Sequence, residues 1–168
     1  MNNSRKIIFL LVFLFILFSP VFSQTIKEGS VAPDFSVTLR SGEKVTLDSY
    51  KGKVLFLHFW GTWCPPCRIE LPEMDALAKK LKTQGENAKM DFLAIAISDT
   101  KKDLTNFMEK NSYTFPTALD ETGKVAFAYG IQGVPTSMLI SPDGKIIKIH
   151  VGMMNKKQIE RFVADYAE

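Results

Sequence analysis

Apolar positions along this chain come as short dense runs and as spaced series, and the two predict different elements. Lys53 to Trp60 (KVLFLHFW) and Met90 to Ser98 (MDFLAIAIS) are nearly continuous apolar stretches of strand length, as expected of central strands covered on both faces. Phe35, Val37 and Leu39 alternate with polar residues, as do Val45 and Leu47 beyond Ser41-Gly42, which predicts a hairpin. From about Pro65 to Lys82 the spacing turns helical. Met74, Leu77, Ala78 and Leu81 recur three and four apart, and Pro72 is expected to kink the helix.

Further along, Asp103 to Lys110 reads as a helix with Leu104, Phe107 and Met108 inward, and Lys124 to Tyr129 as a shorter one. Thr136 to Ile140 and Lys145 to Val151 read as strands joined by the turn Ser141-Pro142-Asp143-Gly144. Asn155 opens a last helix, with Gln158 three residues on as a capping partner and Ile159, Phe162, Val163 and Tyr166 as its apolar stripe. Strands alternating with helices, then a closing hairpin and helix, predict one α/β sandwich around a mixed sheet.

The N-terminus stands apart from that pattern. Arg5 and Lys6 precede the unbroken apolar run Ile7 to Phe18, followed by Ser19-Pro20-Val21-Phe22-Ser23. A positive start, a short apolar core and a small residue at Ser23 match a secretory signal peptide over residues 1–23, with the folded domain at 24–168. A membrane span needs about 20 apolar residues, more than this run supplies; left uncleaved, it would tether the chain to a membrane. The full chain carries a net charge of +3, two of which sit at Arg5 and Lys6. The exported part is therefore close to neutral, and nothing in it suggests nucleic acid.

Only two cysteines occur in the 168 residues, in Trp63-Cys64-Pro65-Pro66-Cys67, where an apolar strand gives way to a helix. Two thiols at that spacing can close and reopen a small disulfide ring, and a helix N-terminus favours the thiolate. A zinc site would need about four ligands, and His58 and His150 are the only histidines, neither at zinc-finger spacing. A structural disulfide framework is excluded by the count. Redox chemistry is the reading left, and it requires no metal or organic cofactor. Export would place the pair in an oxidising compartment, where a reductant needs its own electron supply.

These residues resemble a known family. Trp63-Cys64-x-x-Cys67 after an apolar strand, with Gly133-Val134-Pro135-Thr136 before the closing hairpin, is similar to thioredoxin-fold proteins. The lead-in Gly29-x-x-Ala32-Pro33-Asp34-Phe35 occurs in peroxiredoxins and in TlpA/ResA-type thiol–disulfide oxidoreductases; Cys67-x-x-Glu70-x-Pro72 resembles the latter. The resemblance implies a thioredoxin-like three-layer sandwich with a central mixed β-sheet and an N-terminal β-hairpin, with Lys101 to Gly130 as the extra helix-containing segment of that group. It implies Cys64 as exposed nucleophile, Cys67 as resolving thiol and Glu70 as an acid near them that assists proton transfer. It also implies a cis Pro135 facing the disulfide, and Trp63, Pro65 and Val134 as client contacts. His58 stands where thioredoxin has a buried aspartate, and reads equally as a satisfied core histidine or a proton-transfer aid.

The same resemblance implies disulfide-containing protein clients, among them apocytochrome c, a membrane thiol carrier as electron donor, and a monomer working outside the cytoplasm. Neither Pro65 nor Pro66 has an N–H to offer the Cys64 sulfur, and a Glu70 carboxylate disfavours a second negative charge, so the thiolate is expected to be weakly stabilised and the dithiol to be a reductant. The alternatives are a peroxiredoxin-like peroxidase, whose Pro-x-x-x-Thr/Ser-x-x-Cys site is not matched here, and a copper-binding chaperone using both cysteines and a histidine.

Overall fold

The computed structural model describes residues 26–167. The signal peptide expected at 1–23 lies outside them. Among the described residues no helix is long and apolar enough to cross a membrane.

The alternating segment pairs as an antiparallel hairpin, β1 (Ser36–Thr38) with β2 (Lys44–Thr46). The two dense apolar runs become β3 (Val54–Trp60) and β4 (Met90–Ile97), parallel neighbours in the middle of a five-stranded sheet. Every residue of β3 is buried, because both of its faces are covered. β6 (Thr136–Ile140) lies antiparallel on its other side, and β7 (Ile146–Val151) follows as the edge. The opposite edge is β5 (Thr117–Asp120), parallel to β4 and absent from the sequence reading. Its Thr117 is buried and takes the indole N–H of Trp60 at 3.4 Å.

Helix α1 (Pro65–Gln84) runs through Pro72, as the expected helix does, and buries Met74, Leu77, Ala78 and Leu81 as its spacing dictates. Helices α2 (Lys101–Lys110), α3 (Lys124–Ala128) and α4 (Lys156–Val163) follow. Both ends of the Asn155–Gln158 capping box are present at the start of α4. One side of the sheet packs Phe56, Trp60 and Leu139 against α1, α2 and α4. The other packs Leu55, Leu57, Phe59 and Ile140 against the hairpin, Tyr129 and the lead-in Ala32 and Phe35. The result is the three-layer arrangement with a mixed sheet and an N-terminal hairpin. β3 delivers its last residue, Trp60, directly to the loop that holds the cysteines, so the reactive pair sits at the C-terminal end of the central strand.

Candidate active site

Cys64 is the N-cap of α1, extended in backbone, and its sulfur accepts the Cys67 N–H at 3.2 Å. The prolines at the first two helical positions lack an N–H, so the third position provides the hydrogen bond. Neither proline donates to the sulfur, as expected, and the one N–H that reaches it belongs to Cys67. Cys64 and Cys67 are joined as a disulfide. One expectation is corrected. Cys64 is not exposed but only 2% accessible, and Cys67 is fully buried. The cap geometry turns the Cys64 sulfur inward, and the Val134 carbonyl oxygen lies 3.6 Å from it.

The Val134–Pro135 peptide bond is cis. It leads into β6, so the central sheet carries both the cysteine loop and the segment facing it. Pro135 is buried and Val134 half-buried. The Pro135 carbonyl accepts the Gly152 N–H at 2.8 Å, which brings the exposed Val151 and Met153 beside this segment. Trp63 is half exposed on the outer side, its indole N–H donating to the Ile97 carbonyl at 3.0 Å. Pro65 is exposed at the start of the helix. Thr62 is fixed in the loop: its N–H and hydroxyl both donate to Asp99. The Arg68 guanidinium binds the Thr62 carbonyl and lies 5.6 Å from the centre of the Phe107 ring.

Glu70 lies one helical turn beyond Cys67, so α1 carries both on one face, and both are buried. Its Oε2 accepts the Met154 N–H at 2.8 Å, and its Oε1 lies 3.5 Å from His58 Nε2. Among the described residues, neither Oε1 nor Nε2 has another partner. His58 Nδ1 meets the Ser137 hydroxyl at 3.0 Å. Burial pushes the Glu70 carboxyl up to about 7, opposed in part by the Met154 N–H. Burial also pushes His58 down to about 3, so the imidazole is neutral at physiological pH. The site therefore joins a redox pair at a helix N-terminus to a buried acid poised near neutrality.

Of the residues singled out in the sequence, the structure brings Cys64, Cys67 and Val134 together at one disulfide, with Pro135 next to Val134 through a cis bond and Trp63 and Pro65 exposed beside the cysteines. Glu70 sits in the core on the same helix face as Cys67. The sequence reading missed the Ser137 contact of His58 and the apolar Val151–Met153 segment. The first leaves no local signal, because β3 and β6 are far apart in sequence; the second lies at the end of the β6–β7 hairpin, where the Gly152 N–H bonds to the Pro135 carbonyl.

Comparison with known proteins agrees with this geometry. The AhpC/TSA family matches residues 29–149. The thiol–disulfide oxidoreductase ResA of Bacillus subtilis is 36% identical over 149 residues, covering 88% of this chain and 81% of that protein. ResA of Bacillus cereus is 38% identical over 151 residues, covering 89% and 85%. Among solved structures, a putative thiol:disulfide interchange protein DsbE from Chlorobium tepidum superposes with a TM-score of 0.75 at 30% identity, covering 86% of this chain and all of that one. The chain belongs to the thioredoxin-fold AhpC/TSA family and is a thiol–disulfide oxidoreductase of the ResA type.

Proposed function

We propose that this chain is a reductant of protein disulfides outside the cytoplasm, working as a monomer and recharged by a membrane thiol carrier. The observation that carries the reading is the Cys64–Cys67 pair capping α1 beside the Val134 carbonyl. In the reduced state the Cys64 thiolate attacks a client disulfide; one client sulfur bonds to Cys64 and the other leaves as a thiolate. Cys67 then loses its proton to Glu70 and attacks Cys64 Sγ. The internal disulfide closes, the second client sulfur leaves, and two electrons have passed to the client. The donor's dithiol reverses these steps.

The direction follows from the first turn of α1. A thiolate at Cys64 receives a single backbone N–H, because Pro65 and Pro66 have none, and weak thiolate stabilisation favours the disulfide form. A client strand would lie against Val134 with its flanks on the exposed Trp63, next to Cys64, and on the exposed Val151 and Met153, held by Gly152 against Pro135. Export rests on the pattern of residues 1–23. The peroxidase alternative finds less support, since the Thr62 hydroxyl donates to Asp99. The test is a Cys67→Ala variant expressed with its leader. Disulfide-linked extracytoplasmic proteins should accumulate on Cys64, and recovery of no such adducts would sink the client reading.

A further inference from the structure

We propose that His58 and Ser137 are positioning residues for Glu70: the imidazole stays neutral and exchanges tautomer each time Glu70 gains or loses a proton. The proposal rests on reading Glu70 as the acceptor of the Cys67 proton.

Strand register sets up the arrangement. His58 on β3 stands directly opposite Ser137 on β6, so their side chains share the face that α1 covers. Across that face Glu70 descends from α1, and the three groups form a row: Ser137 Oγ, His58 Nδ1 at 3.0 Å, then His58 Nε2 and Glu70 Oε1 at 3.5 Å. All three residues are at most 1% exposed. Among the described residues, Nε2 and Oε1 have only each other to face. Two buried polar atoms aimed at one another need one proton between them, whichever atom carries it.

A neutral imidazole meets that need in both states. With Glu70 ionised, Nε2–H donates to Oε1 and Nδ1 accepts the Ser137 hydroxyl proton. With Glu70 protonated, the carboxyl donates to Nε2, and Nδ1–H donates to Ser137 Oγ. A hydroxyl both donates and accepts at Nδ1, so serine permits the exchange where an ionised carboxylate, which only accepts, would hold one tautomer. One proton is added overall, and it resides on Glu70. The proton leaves the Cys67 thiol, and the sulfur left behind forms the bond to Cys64 Sγ while the client sulfur departs. Burial keeps His58 neutral through the range in which Glu70 titrates, since the one is pushed down to about 3 and the other up to about 7.

Among the described residues, other titratable or charged groups on this face are few. From α1 come the two cysteines. β4 places the uncharged Ala94 opposite His58. β7 brings His150 opposite Ser137, half-buried with its ring against Phe162, and Lys148, which is paired with Asp165. The segment before α4 contributes the Met154 N–H, and α4 contributes Phe162.

Nitrogen NMR of histidine distinguishes the two tautomers directly, and carbon NMR follows the Glu70 carboxyl in the same reduced sample between about pH 5 and about pH 9. The Nδ1 and Nε2 signals of His58 should exchange positions with the midpoint of Glu70. The exchange should be lost in Glu70→Gln and Ser137→Ala and kept in Ser137→Thr; should Ser137→Ala fail to fold, the wild-type and Ser137→Thr titrations decide alone. A single tautomer throughout in the wild type, or an imidazolium form, overturns the proposal. So does an exchange that survives Glu70→Gln and disappears in His150→Gln. The rate of mixed-disulfide release separates this inference from the reading it rests on. If Glu70→Gln leaves that rate and its pH profile unchanged while the tautomer exchange is seen in the wild type, Glu70 loses its role in catalysis and the coupling of His58 to Glu70 stands.

Discussion

Gly61 makes room for the indole of Trp63: a β-carbon at position 61 would stand 2.5 Å from the indole nitrogen and 2.7 Å from Cε2. That contact is closer than any side chain tolerates, so the ring or the loop must give. The indole is the freer of the two, being half exposed and held by one hydrogen bond to the Ile97 carbonyl.

Gly61→Ala is therefore expected to swing Trp63 off Ile97 at a cost of about 1 kcal/mol in stability, the worth of one partly exposed hydrogen bond. Tryptophan fluorescence should change. Reduction of a protein disulfide should slow several-fold, with the reduction potential within about 10 mV of wild type, because the thiols themselves are untouched. A displaced indole with an unaltered rate would remove Trp63 from the client surface.

The buried pair shapes the dependence of stability on pH. Folded Glu70 keeps its proton to about pH 7 and an unfolded glutamate only to 4.5, so ionisation favours the unfolded chain and stability falls as pH rises between these values. Folded His58 takes a proton only near pH 3 and an unfolded histidine near 6.5, so stability falls as pH drops from 6.5 through 3. The slopes oppose each other from about pH 4.5 to about pH 6.5. Thermal melts should give a plateau there, with a decline below it from His58 and a decline above it from Glu70. Glu70→Gln should remove the upper decline and His58→Asn the lower one. Parallel wild-type and variant curves would show that neither group titrates as its burial dictates.

Local signals made much of the fold legible. The runs at Lys53–Trp60 and Met90–Ser98 are strands because no polar face interrupts them, and the Asn155–Gln158 capping box needs only three residues of context. β5 was not legible. Thr-Ala-Leu-Asp is four residues long with one large apolar side chain, and its strand character comes from pairing with β4. The same limit governs the site. The cysteine pair and Pro135 are read from motifs, but Cys64 is covered by a carbonyl 70 residues away, and His58 finds its hydroxyl 79 residues away. Local spacing carries no information on such contacts.

Asp75 ties α1 to the segment that leads into β5. Its Oδ1 accepts the N–H groups of Thr114 at 2.7 Å and Phe115 at 3.2 Å, while Oδ2 meets Lys79 at 2.6 Å. Asp75→Ala leaves both N–H groups without that acceptor, and the Phe115 side is buried. A loss of about 2–3 kcal/mol is expected in denaturant melts, with the reduction potential unchanged, since the carboxylate lies more than two turns of α1 beyond the cysteines. A change in potential larger than the loss in stability would place Asp75 in the redox site instead.

The prolines between the cysteines offer the sharpest test of electron direction. As N-cap, the Cys64 sulfur can accept from the second or third helical residue, and Pro66 leaves only Cys67 to donate. Pro66→Ala restores an N–H at the second position without disturbing Pro65, which still begins the helix. A hydrogen bond to the thiolate is worth about 1.5 kcal/mol or more, and about 1.4 kcal/mol corresponds to 30 mV for a two-electron couple. The wild-type potential is expected below about −200 mV, on the reducing side of known dithiols. Pro66→Ala should raise it by roughly 30 mV and lower the Cys64 pKa by about one unit, both read by equilibration with glutathione and by thiolate absorbance. A wild-type value near −120 mV, or a variant whose potential moves the other way, would show that backbone donors at the helix start do not set the direction of this protein.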